Sequence, residues 1–201
     1  MEHQFPIALP TGQWDALKAA YETPPRAYHN LGHIQALMHH FHEVAAGPGW
    51  CQPTEVALAI LYHDAIYDAG RSDNEARSAQ WAVAEIARWL PGEDIDSARV
   101  AQLIGFTARH GKLSADELDT DAALFVDADM AVLGAPAAIF NAYHQGIEAE
   151  YRGKVPALLF RINRRRFLRA VLRQPRIFHT AYFHQRFDAA ARANLRRVTG
   201  G

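Results

Sequence analysis

Cysteine is almost missing from this chain. The single Cys51 excludes a disulfide framework and any thiolate metal cluster built within one chain, and it fits a reducing compartment. Long hydrophobic runs are missing too: no stretch approaches the ~18 apolar residues that span a bilayer. The first ten residues have little positive charge and no apolar core, so no secretory signal is read there. Neither end carries a lipidation signal. The expectation is a soluble, cytoplasmic protein with no membrane partner. Alternating strand patterns with tight hairpin signals are scarce, which argues against a β-fold. Repeats, low-complexity tracts and long linkers are absent.

What is present is enough apolar matter for one core. The 201 residues are 49% hydrophobic and 10% aromatic, too apolar for wholesale disorder and of a length for a single domain. Apolar residues recur at helical spacing throughout. Helices are expected over about 14–21, 31–46, 54–67, 73–90, 95–110, 115–134, 137–151, 157–173 and 179–198. The fold expected is an all-α, single-domain bundle of eight or nine helices. Its core spans about 24–134, and basic C-terminal helices over about 151–198 pack on it. Ser72-Asp73-Asn74-Glu75 and Ser114-Ala115-Asp116-Glu117 both read as capping boxes. Pro91-Gly92, Gly111 and Gly134 with Pro136 read as helix stops.

The formal charge of −1 hides a division. Residues 1–150 hold 8 basic and 21 acidic side chains, whereas residues 151–201 hold 13 basic ones and only Asp188. The basic end either binds an anion or docks on the acidic body. Its apolar residues at helical spacing favour docking. Arg161, Arg165 and Arg169 form one stripe, and Arg166, Arg169, Arg173 and Arg176 an adjacent one, with Arg164 among them. No nucleic-acid fold motif accompanies them, which argues against a nucleic-acid partner.

Three stretches carry residues that a helix does not need for its own stability. They are Tyr28-His29-Asn30-Leu31-Gly32-His33-Ile34, the run from Leu58 to Asp68 with His63-Asp64 at its centre, and the run from Ala122 to Gly134 with Asp127 and Asp129. The last two place carboxylates inside apolar sequence. A buried carboxylate needs a hydrogen-bond network, a cation or a metal. The two stretches could meet that need together around one divalent ion, for which imidazole and carboxylate are suitable donors. Asp127 and Asp129 lie about 200° apart around a helix, so only one of them faces such an ion.

A single His, a His-Asp doublet about thirty residues on and a distant Asp, all on helices, resemble the HD superfamily of metal-dependent phosphohydrolases. The closer resemblance is to its small bacterial branch of predicted phosphohydrolases. It runs from about residue 24 to 196, through Tyr28 to Ile34, His63 to Asp68, Ser72 to Glu75, Asp127 to Gly134, Glu150-Tyr151 and Ala191 to Leu195. The resemblance implies His33, His63, Asp64 and Asp129 as metal ligands, with Asp129 preferred over Asp127 by analogy. The metal is a divalent ion (Mn, Mg, Ni, Zn or Fe). His29, four residues before His33, is read as a substrate-contacting group or one behind the ligands. His110 ends a helix, where the dipole favours a cationic ring; in many HD proteins a histidine from this region points at the substrate phosphate or a second metal. Asp68 follows Asp64 by one helical turn and is read as the group that orients or deprotonates water, with a helix-end cap as the alternative. The family's catalytic acid position, three residues after the doublet, is Tyr67 here. Arg26 and Arg71 are read as phosphate contacts, and His39, His40 and His42 as a solvated helix flank.

The function expected is hydrolysis of a phosphate ester or anhydride of a small, nucleotide-like phosphorylated substrate, with a homo-oligomer compatible with the sequence. One rival is an HD-type di-iron oxygenase drawing extra ligands from His29, His110 and Asp68. The other is a non-enzymatic module with a structural metal and a basic face for an anionic partner.

Overall fold

The computed structural model describes residues 5–22 and 26–200. Residue 24, where the core was expected to begin, and residues 1–4 of the segment examined for a signal lie outside them. Among the described residues every regular element is helical. The nine α-helices are α1 Thr11–Tyr21, α2 Leu31–Ala45, α3 Pro53–Tyr62, α4 Asn74–Trp89, α5 Ser97–Thr107, α6 Thr120–Met130, α7 Ala137–Tyr151, α8 Ala157–Arg173 and α9 Ala181–Thr199. Two 3₁₀ turns, Ala115–Glu117 and Ala131–Gly134, flank α6.

Helix α3 is apolar all round, and a helix of that kind must lie at the centre of a fold. Its residues from Val56 to Tyr62 are all buried. It starts with Pro53 in its first turn, where the missing N–H costs nothing. Helices α1, α2, α4 and α5 pack their apolar stripes around it. A second apolar cluster joins α6 to α7, α8 and α9 through Leu124, Phe140, Leu168, Phe183 and Leu195. The basic C-terminal helices therefore dock on the acidic body. Salt bridges from Lys154 to Asp68 (3.0 Å) and from Arg186 to Glu43 (2.8 Å) cross between them. The backbones approach closely at Gly134, where an added Cβ would lie 2.7 Å from both Cβ and O of Phe187. Asn194 of α9 fixes the same turn by donating to the carbonyls of Leu133 and Ala135, both at 2.9 Å.

Among the described residues no single helix is long and apolar enough to cross a membrane. The α6 segment and α7 have the composition together but are bent by 104°.

Two of the expected helices depart most from the periodicity. The helix expected over 54–67 ends at Tyr62, because side chains take over the backbone groups that would continue it. Arg26 donates to the carbonyls of Asp64 (2.9 Å) and Ala65 (2.7 Å). Ser78 holds both backbone groups of Ile66, and Asn74 both of Asp68. The helix expected over 115–134 is split, because Asp119 opens a new helix by accepting from the Ala122 N–H at 2.9 Å. The Ser114 box forms as expected. The Ser72 box does not: α4 starts at Asn74 with Asp73 as its N-cap, and the Asp73 carboxylate turns to Arg71 at 2.7 and 2.6 Å.

Candidate metal centre

Helix α2 presents His33, and the Asn30 side chain fixes its start by accepting from the Gly32 N–H at 2.8 Å. His63 is the first residue beyond α3 and Asp64 the next. Asp129 is the penultimate residue of α6. These three segments, far apart in the chain, bring four donor atoms together. His33 Nε2 lies 3.2 Å from His63 Nε2, 3.5 Å from Asp64 Oδ2 and 3.1 Å from Asp129 Oδ1. His63 Nε2 lies 3.0 Å from Asp64 Oδ2 and 3.7 Å from Asp129 Oδ1.

These spacings suit a metal. With bonds of about 2.1 Å, adjacent ligands are about 3.0 Å apart in an octahedron and about 3.4 Å in a tetrahedron. The donor atoms of His33, His63 and Asp64 all lie within 4.8 Å of one another, as holding one ion requires. His63 Nδ1 lies 2.9 Å from the Ile60 carbonyl. That contact places the proton on Nδ1 and leaves the Nε2 lone pair facing the cluster. The group of His33, His63 and Asp64 offers two imidazoles and one carboxylate, which fit a divalent ion of borderline or hard character, and the Asp129 carboxylate stands beside it, 3.1 Å from His33.

The imidazoles and carboxylates of the cluster hold one another in their charged forms. Burial pushes the His33 and His63 imidazoles down, but Asp129 and Asp64 outweigh it and hold both rings above their ordinary value, His63 by more. Burial pushes the Asp64 and Asp129 carboxyls up. The neighbouring histidines reverse this and hold both well below the usual carboxylate range. Other buried acids in the chain are satisfied differently. Asp121 accepts from the N–H groups of Cys51 and Gln52. Asp127 accepts from the N–H groups of His179 and Thr180 and from the Thr180 hydroxyl. Both are staples between segments. Asp64 and Asp129 have imidazoles instead and keep 13% and 12% of their side chains exposed, so solvent reaches them. Asp127 and Asp129 do face opposite ways.

The centre lies in the wall of a cavity of about 710 Å³ that His29, His33, Asp64, His110 and Asp129 all line. His29 Nδ1 is 2.6 Å from Glu150 Oε2, and its ring packs on Tyr67 at 4.1 Å between centroids. Glu150 Oε1 accepts from the backbone N–H groups of Tyr28 and His29 at 2.8 and 2.9 Å. Nε2 of His29 is therefore the ring nitrogen without a partner among the described residues. His110 Nε2 lies 2.6 Å from Asp129 Oδ2, on the carboxylate oxygen opposite the one facing His33. It orients that carboxylate.

Three expected site residues are engaged by other partners. Asp68 does not share a helical face with Asp64, since α3 has ended, and its exposed carboxylate pairs with Lys154. The Arg26 guanidinium is committed to the Asp64, Ala65 and His29 carbonyls. It shapes the turn that carries Asp64, and no phosphate contact is needed to explain it. Arg71 reaches the cavity rim, but its guanidinium is held by Asp73. His40, read as surface flank, is half-buried and pairs with Glu43 at 2.8 Å.

Sequence reasoning missed the roles of Glu150 and Arg164. Glu150 is a nearly fully buried acid near the end of α7. Glu148 and Arg152 flank it, so no apolar run marked it as the runs around Asp64 and Asp129 did. Arg164 lines the cavity but was hidden in the basic stripe. No family model, curated protein or solved structure matches this chain.

Proposed function

We propose that the chain is a metal-dependent phosphohydrolase of the HD type, cleaving a phosphate ester or anhydride of a small nucleotide-like substrate. One observation carries the reading: the donor atoms of His33, His63 and Asp64 converge at metal-ligand spacing, with Asp129 Oδ1 3.1 Å from His33, beside a cavity large enough for such a ligand. In this reading His33, His63, Asp64 and Asp129 hold the ion. A divalent ion bound there supplies a Lewis acid and lowers the pKa of bound water toward neutrality.

The protein groups around the centre divide the remaining work. Glu150 fixes the His29 ring and keeps the proton on Nδ1. Its Nε2 can then accept a proton from water or, once protonated, hydrogen-bond a phosphate oxygen and donate to a leaving oxygen. His110 holds the Asp129 carboxylate in orientation. His29 replaces Asp68 as the proposed proton-transfer group. A di-iron oxygenase draws on Asp68 as an extra ligand, and the pairing of that residue with Lys154 counts against it.

The test is a metal-by-substrate screen of protein purified without chelators, run beside His63→Ala and Asp64→Ala. The expected result is turnover of a phosphate ester or anhydride that both substitutions abolish. Turnover that survives both rejects this centre. A metal-loaded protein that turns over nothing in the panel favours the non-enzymatic module.

A further inference from the structure

The cavity has two unlike ends. At one end are the imidazoles and carboxylates of the centre. The remaining wall is mostly apolar and aromatic, from α7 and α8, with Tyr143, Ile147, Phe160 and Phe167. The Tyr28 ring steps between the two ends, 4.8 Å from the His33 ring and 4.7 Å from the Tyr143 ring. Beyond Tyr143 lies Arg164, whose guanidinium carbon is 4.9 Å from the Tyr143 centroid and 5.5 Å from that of Phe167.

Arg164 differs from its neighbours on α8. Arg161 approaches Glu148 at 3.6 Å. Arg165 and Arg169 both donate to the Thr199 carbonyl at the end of α9. Arg164 Nε and Nη2 are covered from solvent and have no hydrogen-bond partner among the described residues. No acidic side chain there pairs with it. Two covered donors left unmet are costly, so a small turn of this partly buried side chain that brings them to an anion in the cavity it lines would be favoured. Its planar fork matches a carboxylate or phosphate. Lys112 also lines the cavity, adding a second positive charge at the rim.

We propose that Arg164 receives a second anionic group of the ligand, so that the cavity takes a phosphate compound whose organic part lies along the aromatic wall and carries a carboxylate or further phosphate at its far end. The assignment of the phosphate end rests on the proposed metal centre; that of the far end rests on Arg164.

The test uses two ligands that resist hydrolysis, benzylphosphonate and 4-carboxybenzylphosphonate. Each is titrated calorimetrically into manganese-loaded wild type, Arg164→Gln, Arg164→Lys and His63→Ala, with thermal melts confirming that each variant folds. Wild type should bind the carboxylated ligand about ten-fold more tightly, the effect of one charge-assisted pair. Arg164→Gln should lose that preference while its affinity for benzylphosphonate stays unchanged. Arg164→Lys should keep part of it. A preference that survives in Arg164→Gln, or is absent in wild type, overturns the proposal. His63→Ala separates the two readings. If it binds both phosphonates as tightly as wild type, the metal-centre reading fails, while a retained preference leaves Arg164 in place.

Discussion

Replacing Glu150 by Gln tests the link between a buried acid and the proposed chemistry. The side chain keeps its shape, so its amide oxygen can still accept from the Tyr28 and His29 N–H groups that Oε1 holds at 2.8 and 2.9 Å. The amide NH₂ then faces His29 Nδ1, which lies 2.6 Å from Oε2 in the native protein. Two donors cannot share that contact. His29 must give up the Nδ1 proton and carry it on Nε2. One charge-assisted hydrogen bond becomes a neutral one, at a cost of about 1–2 kcal/mol. For a chain of this size that lowers Tm by about 2–8 °C. Losing the correctly protonated His29 should lower turnover by about 10²-fold or more. Imidazole ¹⁵N shifts read the tautomer directly, without any substrate. The stability difference also has a pH signature. Burial pushes the Glu150 carboxyl up, but His29 and the backbone N–H groups bring it below its ordinary value of 4.5. The stabilisation by the carboxylate is therefore complete above pH 4.5 and is lost as pH falls through the lowered value. The Tm gap between wild type and variant should close there. If His29 keeps its tautomer and the folded variant turns over normally, Glu150 is a staple and nothing more.

Further tests follow from other contacts. Protein purified without chelators should carry about one divalent ion per chain, and Asp64→Asn should lose it, as elemental analysis would show; full metal content in that variant excludes Asp64 as a ligand. Arg26→Lys preserves the charge but not the fork that holds the Asp64 and Ala65 carbonyls, so denaturant titration should show a loss of about 2 kcal/mol and metal retention should weaken. A raised KM with unchanged stability would instead restore Arg26 as a phosphate contact. Gly134→Ala forces a Cβ against Phe187 at 2.7 Å and should cost about 1–3 kcal/mol. Gly92→Ala, with nothing within 4 Å, is the control and should change stability by less than about 0.5 kcal/mol.

Much of the architecture was legible in the pattern of side chains. Helical periodicity announced eight or nine helices because each must bury one stripe, and α7 and α8 begin and end where that stripe does. The apolar run around His63-Asp64 marked a helix too hydrophobic for any surface. Acids in such company revealed themselves because a buried charge must be neutralised. Boundaries were less legible where a distant side chain outcompeted the helix for backbone groups. Nothing local announces that Arg26, Ser78 and Asn74 will take the carbonyls and amides after Tyr62.

The linear order of residues thus determined which groups needed a partner: histidines and acids embedded in apolar helices, and a basic end with an apolar stripe. Tertiary structure alone decided who the partners are. It turned Asp127 to the α9 loop and Asp129 to His33, sent Asp68 to Lys154 at the surface, and set Arg164 against two rings in the cavity wall. The physical reason is that periodicity constrains which face of a helix is buried. The identity of the atom that meets it there depends on how separate helices cross.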